Sequence, residues 1–190
     1  MYIHAVNSGG RGPQSNCVTF TIDDMDYSPT KTIFFGGHIY SIYDYSIGWT
    51  SARELCMRMG GYLATITSKE ENDAIANLII YGNKDAYYLG ALNTDWDTAT
   101  WNENGTPWRW ITGEQFVYSN WASGEPNGSG SNGTKEHFLE IRKSYGKRWN
   151  DVSNISSNTQ GFILEIDCDY QPIASTQSGN TVSIKKPRRI

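Results

Sequence analysis

From Leu92 to Ser153 the chain runs through Trp, Asn, Gly and Asp with little hydrophobic periodicity, and this stretch constrains the fold more than any other feature. Irregular segments of such length are uncommon inside a domain and usually carry function. The residues around it must then supply the core and hold both its ends. Ile33–Phe35 and His38–Tyr43 are strand-like. Ser51 and Glu54 are spaced as a capping box, and Ala52, Leu55, Cys56 and Met59 follow at helical spacing until Gly60-Gly61 stops the helix. A short strand is expected at Tyr62–Ile66. Ser68 and Glu71 repeat the capping-box spacing before a second helix, with Ala74, Ile75, Leu78 and Ile79 on its apolar face and Gly82 closing it. Tyr87–Ala91 (YYLGA) reads as a buried strand, Phe138–Ile141 as the best strand inside the irregular stretch, and Gly161–Ile166 as a closing strand. This order predicts an α+β fold rather than an alternating parallel sheet.

The flanks have a different character. Tyr2, His4 and Val6, then Val18, Phe20 and Ile22, alternate around the turn-rich Asn7–Asn16, which is a hairpin pattern with a long loop. Two strands do not bury a core alone, so residues 1–22 belong to something larger. YIHAVNSGGRGPQSNCVTFTI resembles the last two strands of a fibronectin type III domain. Residues 23–35 are taken as a linker that includes DDMDYSPT, and residues 168–190 as a linker or the start of a further module.

Charge and motif content narrow the function. The net charge is −4, and the only dense basic run is Lys185–Arg189 near the C-terminus, which argues against a nucleic-acid partner. No apolar run approaches the roughly 18 residues of a membrane span, so no membrane insertion is expected. No N-terminal segment reads as a signal peptide; a secreted chain would then be a fragment or lack its leader. The three cysteines, Cys17, Cys56 and Cys168, allow at most one bridge, and the absence of a CxxC pair argues against a structural zinc site. Cys56, on an apolar helical face, reads as a buried structural thiol. No HExxH, GxSxG or P-loop motif is present, and no enzymatic activity is expected.

The segment Trp121–Asp151 reads WASGEPNGSGSNGTKEHFLEIRKSYGKRWND. Glu125, Asn127, Glu136, Asn150 and Asp151 offer five oxygen-bearing side chains. A hard cation such as calcium takes roughly six to eight oxygen ligands. A cis bond at Pro126, which proline readily permits, would aim its two neighbours at one point. The alternative is a solvated polar loop.

This segment resembles the long-loop region of C-type lectins. SARELCMRMGGYLATI (Ser51–Ile66) resembles that family's first helix and following strand, YYLGA its core strand, and Trp108-Arg109-Trp110 with Phe116, Trp121 and GEPN its approach to the site. The likeness covers residues 36–167. It implies a C-type lectin-like fold of two helices and small antiparallel sheets with a long irregular ligand-binding loop. It also implies that Glu125 and Asn127 match the EPN pair and Asn150 and Asp151 the WND pair, binding calcium and sugar together, with Glu136 as a further calcium carboxylate. EPN, rather than QPD, implies mannose, fucose, glucose or N-acetylglucosamine as ligand, in an extracellular or cell-surface protein of unknown oligomeric state.

The chain also departs from the family pattern. Gly128 and His137 stand where many members carry acids, which argues against a second calcium site of the usual kind, although Asp95 and Asp97 offer oxygens for another ion. The gap from Glu136 to Asn150 is long, so Glu140 is an alternative ligand, though it reads better as an ordinary strand residue. Cys56 matches a family cysteine whose partner position is Leu164 here, which points to a divergent, bacterial member. Cys17 and Cys168 flank the domain and would clamp its ends if paired. Trp101, Trp108, Trp110 and Trp121 are taken as core rather than sugar platforms, and the sequons at Asn104, Asn127, Asn132 and Asn154 as chance. A C-type lectin-like adhesin domain that binds protein without sugar is the rival function. A hydrolase using Glu125 and Glu136 is disfavoured, because calcium-bound carboxylates are poor acids.

Overall fold

The computed structural model of the chain describes residues 27–94, 107–130, 133–154 and 160–168. The fibronectin-like hairpin, Cys17, Asp95, Asp97, Trp101, Asn104, Asn132 and the tail after Cys168 lie outside the described residues.

Strands β1 (Lys31–Phe35) and β2 (His38–Tyr43) form a hairpin turned at Gly36 and Gly37, whose φ angles of 62° and 93° suit glycine. Pairing therefore begins ahead of position 36, within the stretch taken as linker. Helix α1 (Trp49–Arg58), strand β3 (Tyr62–Leu63) and helix α2 (Lys69–Leu78) follow, the last running into a 3-10 turn at Ile79–Tyr81 that Gly82 ends. Then come β4 (Ala86–Asn93), β5 (Trp108–Trp110), β6 (Phe138–Arg142), β7 (Arg148–Val152) and β8 (Gln160–Asp167). The strands form one connected sheet in the order β1-β2-β8-β4-β6-β7, with β3 on β8 and β5 on β4. The separate antiparallel sheets expected from the sequence are thus joined, and the joint is the parallel pair β4–β8. The α+β class stands. Closing strand β8 lies between β2 and β4, so the domain's two ends meet and the irregular stretch is carried on the β4, β6 and β7 side.

The two helix starts differ. Ser68 caps α2 as expected, its hydroxyl accepting the Glu71 N–H at 3.2 Å. Glu71 reaches one residue further back than a capping box requires, to the Thr67 N–H at 2.6 Å, and also accepts the Tyr40 hydroxyl at 2.5 Å, tying α2 to β2. Helix α1 is a correction. It begins at Trp49 with Gly48 at its N-cap, so Ser51 is already inside the first turn. The exposed amide of Thr50 is instead satisfied by Asn154 Oδ1 at 3.1 Å.

The apolar side chains form two clusters. Tyr40, Ile75, Tyr87, Leu139, Ile141 and Trp149 belong to one. Trp49, Leu55, Cys56, Tyr88, Phe162 and Leu164 belong to the other. Cys56 is a fully buried free thiol, and burial pushes its pKa well up. Leu164 shares its cluster, so apolar packing stands where the family likeness implies a bridge. Gly61 is required by space: a Cβ there would lie 2.1 Å from the Glu165 carbonyl oxygen. Among the described residues no helix is long and apolar enough to cross a membrane.

Candidate functional site

Trp149 is the peg on which the long loop hangs. It is fully buried, and its indole N–H donates to Asn72 Oδ1 of α2 at 2.9 Å. The rings of Trp110, Phe116, Tyr118 and Trp121 surround it edge-to-face, with centroids 5.7 to 6.0 Å away. Trp108 packs on Trp121 at 4.9 Å. Trp108, Trp110 and Phe116 are core, and Tyr118 and Trp121 are partly buried against it. Backbone bonds then lace the loop to β7: the Trp149 N–H donates to the Asn120 carbonyl and the Ala122 N–H to the Trp149 carbonyl, each at 2.8 Å.

This lacing brings the EPN segment onto Asp151. The Glu125–Pro126 peptide bond is cis. Asp151, fully buried, accepts the backbone N–H groups of Asn127 at 3.1 Å and of Gly128 at 2.7 Å. Gly128 has φ 74° and its carbonyl accepts the Glu136 N–H at 3.2 Å, closing a small hairpin in which Ser129 bridges Lys135. Asn127 is exposed, and its Oδ1 accepts the Ser129 N–H at 2.9 Å. Glu125, Asn127, Glu136 and Asp151, distant in sequence, therefore converge.

The electrostatics of this group are those of crowded, part-buried carboxylates. Burial, then contact with the Asp151 carboxylate, raises Glu125 to about 7. Burial, then the charges of Asp151, Glu125 and Glu140, raises Glu136 to about 7. Glu125 Oε2 is shielded from solvent and accepts no hydrogen bond among the described residues. An orphaned carboxylate oxygen beside two further carboxylates and an amide is the donor set a hard dication takes.

Asn150 sits differently. Its Nδ2 donates to Glu140 Oε1 at 2.9 Å, across from it in the β6–β7 register. Glu140 is fully buried, and also accepts from Arg142 Nη1 at 3.1 Å and Gln160 Nε2 at 3.2 Å; Arg142 in turn pairs with Asp85 at 3.2 Å. Glu140 is therefore an internal anchor for Asn150, a role that sequence reasoning missed. The available signal was a carboxylate set within the apolar run FLEI. His137 is buried, its imidazole pKa lowered by burial and by Lys135. Its backbone ties β7 to β4, donating to the Val152 carbonyl at 3.1 Å and accepting from the Asn93 N–H at 2.8 Å.

Comparison with known proteins agrees with this architecture. The family described as Lectin C-type domain matches residues 45–163. Ladderlectin of Oncorhynchus mykiss is 26% identical over 167 residues, covering 88% of this chain and 82% of its own. A perlucin-like protein of Mytilus galloprovincialis is 33% identical over 118 residues, covering 60% and 67%. Among solved structures, the cow C-type carbohydrate-recognition domain of CD23, crystallised in the presence of a GlcNAc2Man3 oligosaccharide, aligns with TM-score 0.57 at 26% identity, covering 74% of this chain and 95% of that one. A calcium-independent type II antifreeze protein shares the fold at TM-score 0.57 and 20% identity, covering 74% and 95%. With a family match over residues 45–163 and a loop pegged by Trp149 onto a mixed sheet, the chain belongs to the C-type lectin domain family.

Proposed function

We propose that this domain binds carbohydrate through calcium in an extracellular or cell-surface setting. Glu125, Asn127, Glu136, Asn150 and Asp151 would be the residues that hold ion and sugar. The observation that carries the reading is the buried, unpartnered Oε2 of Glu125 beside Asp151 and Glu136. When bound, calcium would supply a Lewis-acidic site at which two neighbouring sugar hydroxyls replace water. The chain's part is to orient them: carboxylates accept from the hydroxyls and the Asn127 carboxamide donates to them. Glu140 occupies the Asn150 NH2, which leaves the Asn150 carbonyl oxygen as its ligand atom. The EPN order favours mannose-type sugars with vicinal equatorial hydroxyls.

Retention of the protein on immobilised mannose in millimolar calcium, and its release by chelator, is the expected result. No retention would move the assignment to the second reading, a protein-binding adhesin domain. That reading draws on His137, which stands where an acid would complete a second ion site, and on the calcium-independent fold relative.

A paired exchange tests the sugar class. Glu125→Gln with Asn127→Asp swaps donor and acceptor around the ion and is expected to shift preference from mannose toward galactose; unchanged selectivity in a competition assay would sink the site assignment.

The pH dependence follows from the raised carboxylates. In the calcium-free fold Glu125 and Glu136 hold protons up to about 7, whereas in the unfolded chain they release them near the ordinary 4.5. Their contribution to stability therefore falls as pH rises between those values. Calcium must displace those protons below about 7, so the rise in melting temperature on adding calcium is expected to grow between about pH 5 and pH 7.5. A calcium-induced shift that shrinks over that range would contradict the site.

A further inference from the structure

Across the sheet from the long loop, at the paired ends of β2 and β8, a second set of ligand-type atoms converges. His38 Nδ1 lies 2.9 Å from Glu165 Oε1 and 2.9 Å from Asp167 Oδ1, and the three ligand atoms all lie within 4.8 Å of one another. We propose that His38, Glu165 and Asp167 bind a transition-metal dication of zinc type, at a site independent of the calcium loop.

The placement is built into the fold. His38 and Asp167 are directly opposite in the β2–β8 register, and Glu165, two residues back, shares Asp167's face. The Cys168 N–H to the Gly37 carbonyl, at 2.8 Å, clips the strand ends together. Glu165 is almost fully buried, and its other oxygen accepts the Thr65 N–H at 2.8 Å, which aims Oε1 at the cluster. Tyr62, from β3, donates to Glu165 Oε1 at 3.0 Å and to Asp167 Oδ1 at 2.5 Å, forming a hydroxyl wall. His38 and Asp167 are 34% and 62% exposed, so an ion reaches the site from solvent and a water completes its shell.

The chemistry separates this site from the calcium one. Calcium takes an all-oxygen set, whereas an imidazole nitrogen with two carboxylates suits zinc. Bonds of about 2.0–2.2 Å to a tetrahedral zinc put ligand atoms roughly 3.3 Å apart, so the two 2.9 Å spacings from His38 need to open by only a few tenths of an ångström. Without an ion, His38 Nδ1 stands as the donor between the Asp167 and Glu165 carboxylates. A dication would take the place of that proton and offset both carboxylate charges. The absence of a CxxC pair is no obstacle, because these ligands come together through strand register rather than sequence spacing. In the sheet order β4 stands between the β2–β8 pair that carries this cluster and the β6–β7 pair that carries the loop, so the two sets of ligands share no residue or strand.

The test is a calorimetric zinc titration of the untagged chain, in millimolar calcium so that the loop carboxylates are occupied. It is repeated with cobalt(II), whose visible d–d bands report an imidazole–carboxylate site. One equivalent bound by the wild type, weakened about a hundredfold or more in both His38→Ala and Asp167→Asn, with mannose retention unchanged, is expected. Asp167→Asn alters an exposed strand end and keeps the test valid if His38→Ala folds poorly. No zinc uptake by the wild type, or equal uptake by Asp167→Asn, overturns the proposal. Because zinc uptake and mannose retention are read separately, failure of this site and failure of the lectin reading are distinguishable.

Discussion

Trp149→Ala is expected to lower the unfolding free energy by about 3–5 kcal/mol, the range for removing a large aromatic from a packed core. The side chain is fully buried and four aromatic rings lean edge-on against it. Three of those rings, Phe116, Tyr118 and Trp121, belong to the irregular approach to the site, which would lose its main packing partner. The substitution also removes the indole N–H that Asn72 Oδ1 accepts, on a residue just 3% exposed. An orphaned buried acceptor costs about 1–3 kcal/mol more. Against a typical domain stability of about 5–15 kcal/mol, the variant stands near the edge of folding. Trp149→Phe keeps most of the ring packing and loses the indole N–H, so it should cost clearly less. Denaturant titration of both variants in chelator checks this; a loss below about 1 kcal/mol for Trp149→Ala would mean that the aromatic cluster does not hold the loop.

The frame of this domain was legible where the signal is local. The 3.6 period of Ala52, Leu55, Cys56 and Met59, the stop at Gly60, the Ser68 cap and the apolar run YYLGA each depend on neighbours in sequence, and each appears as expected. What was missed depends on partners far along the chain. Helix α1 starts early because its cap comes from Asn154, 104 residues from Thr50, which no local box can encode. The parallel β4–β8 pair joins strands whose own sequences carry no record of each other. Of the site, the EPN and WND segments were legible as an oxygen-rich set, and resemblance supplied their order. The partition within that set was not. That Glu140 is bonded to Asn150 depends on the β6–β7 register, which sets the two opposite one another. The His38 cluster was illegible for the same reason, since it exists only in the pairing of β2 with β8.

Asp151→Ala is expected to abolish calcium and mannose binding together, with calcium affinity falling on the order of a hundredfold or more. Two separate roles meet in this carboxylate. It is a candidate ligand, and it is the acceptor that seats the loop, through the Asn127 and Gly128 N–H groups. Hydrogen bonds to a charged group contribute about 1.5–3 kcal/mol each, so the EPN turn should loosen as well. The calcium-free chain gains something in return: Asp151 helps raise Glu125 and Glu136, and its removal lets both carboxylates ionise nearer their ordinary range. The cost to stability should therefore be smaller in chelator than in calcium, where the wild type alone gains from the ion. That contrast separates a ligand from a merely structural aspartate, which would cost the same in both conditions. Asp151→Asn retains one acceptor oxygen for the loop amides but not the charge, so it should preserve more of the chelator stability while losing the ion. Calorimetry with calcium, mannose-column retention and melting in both conditions would be read on the same preparations. Loss of sugar binding with calcium uptake intact would show that the ion and the sugar occupy different sites, and the calcium-bridged reading would fall.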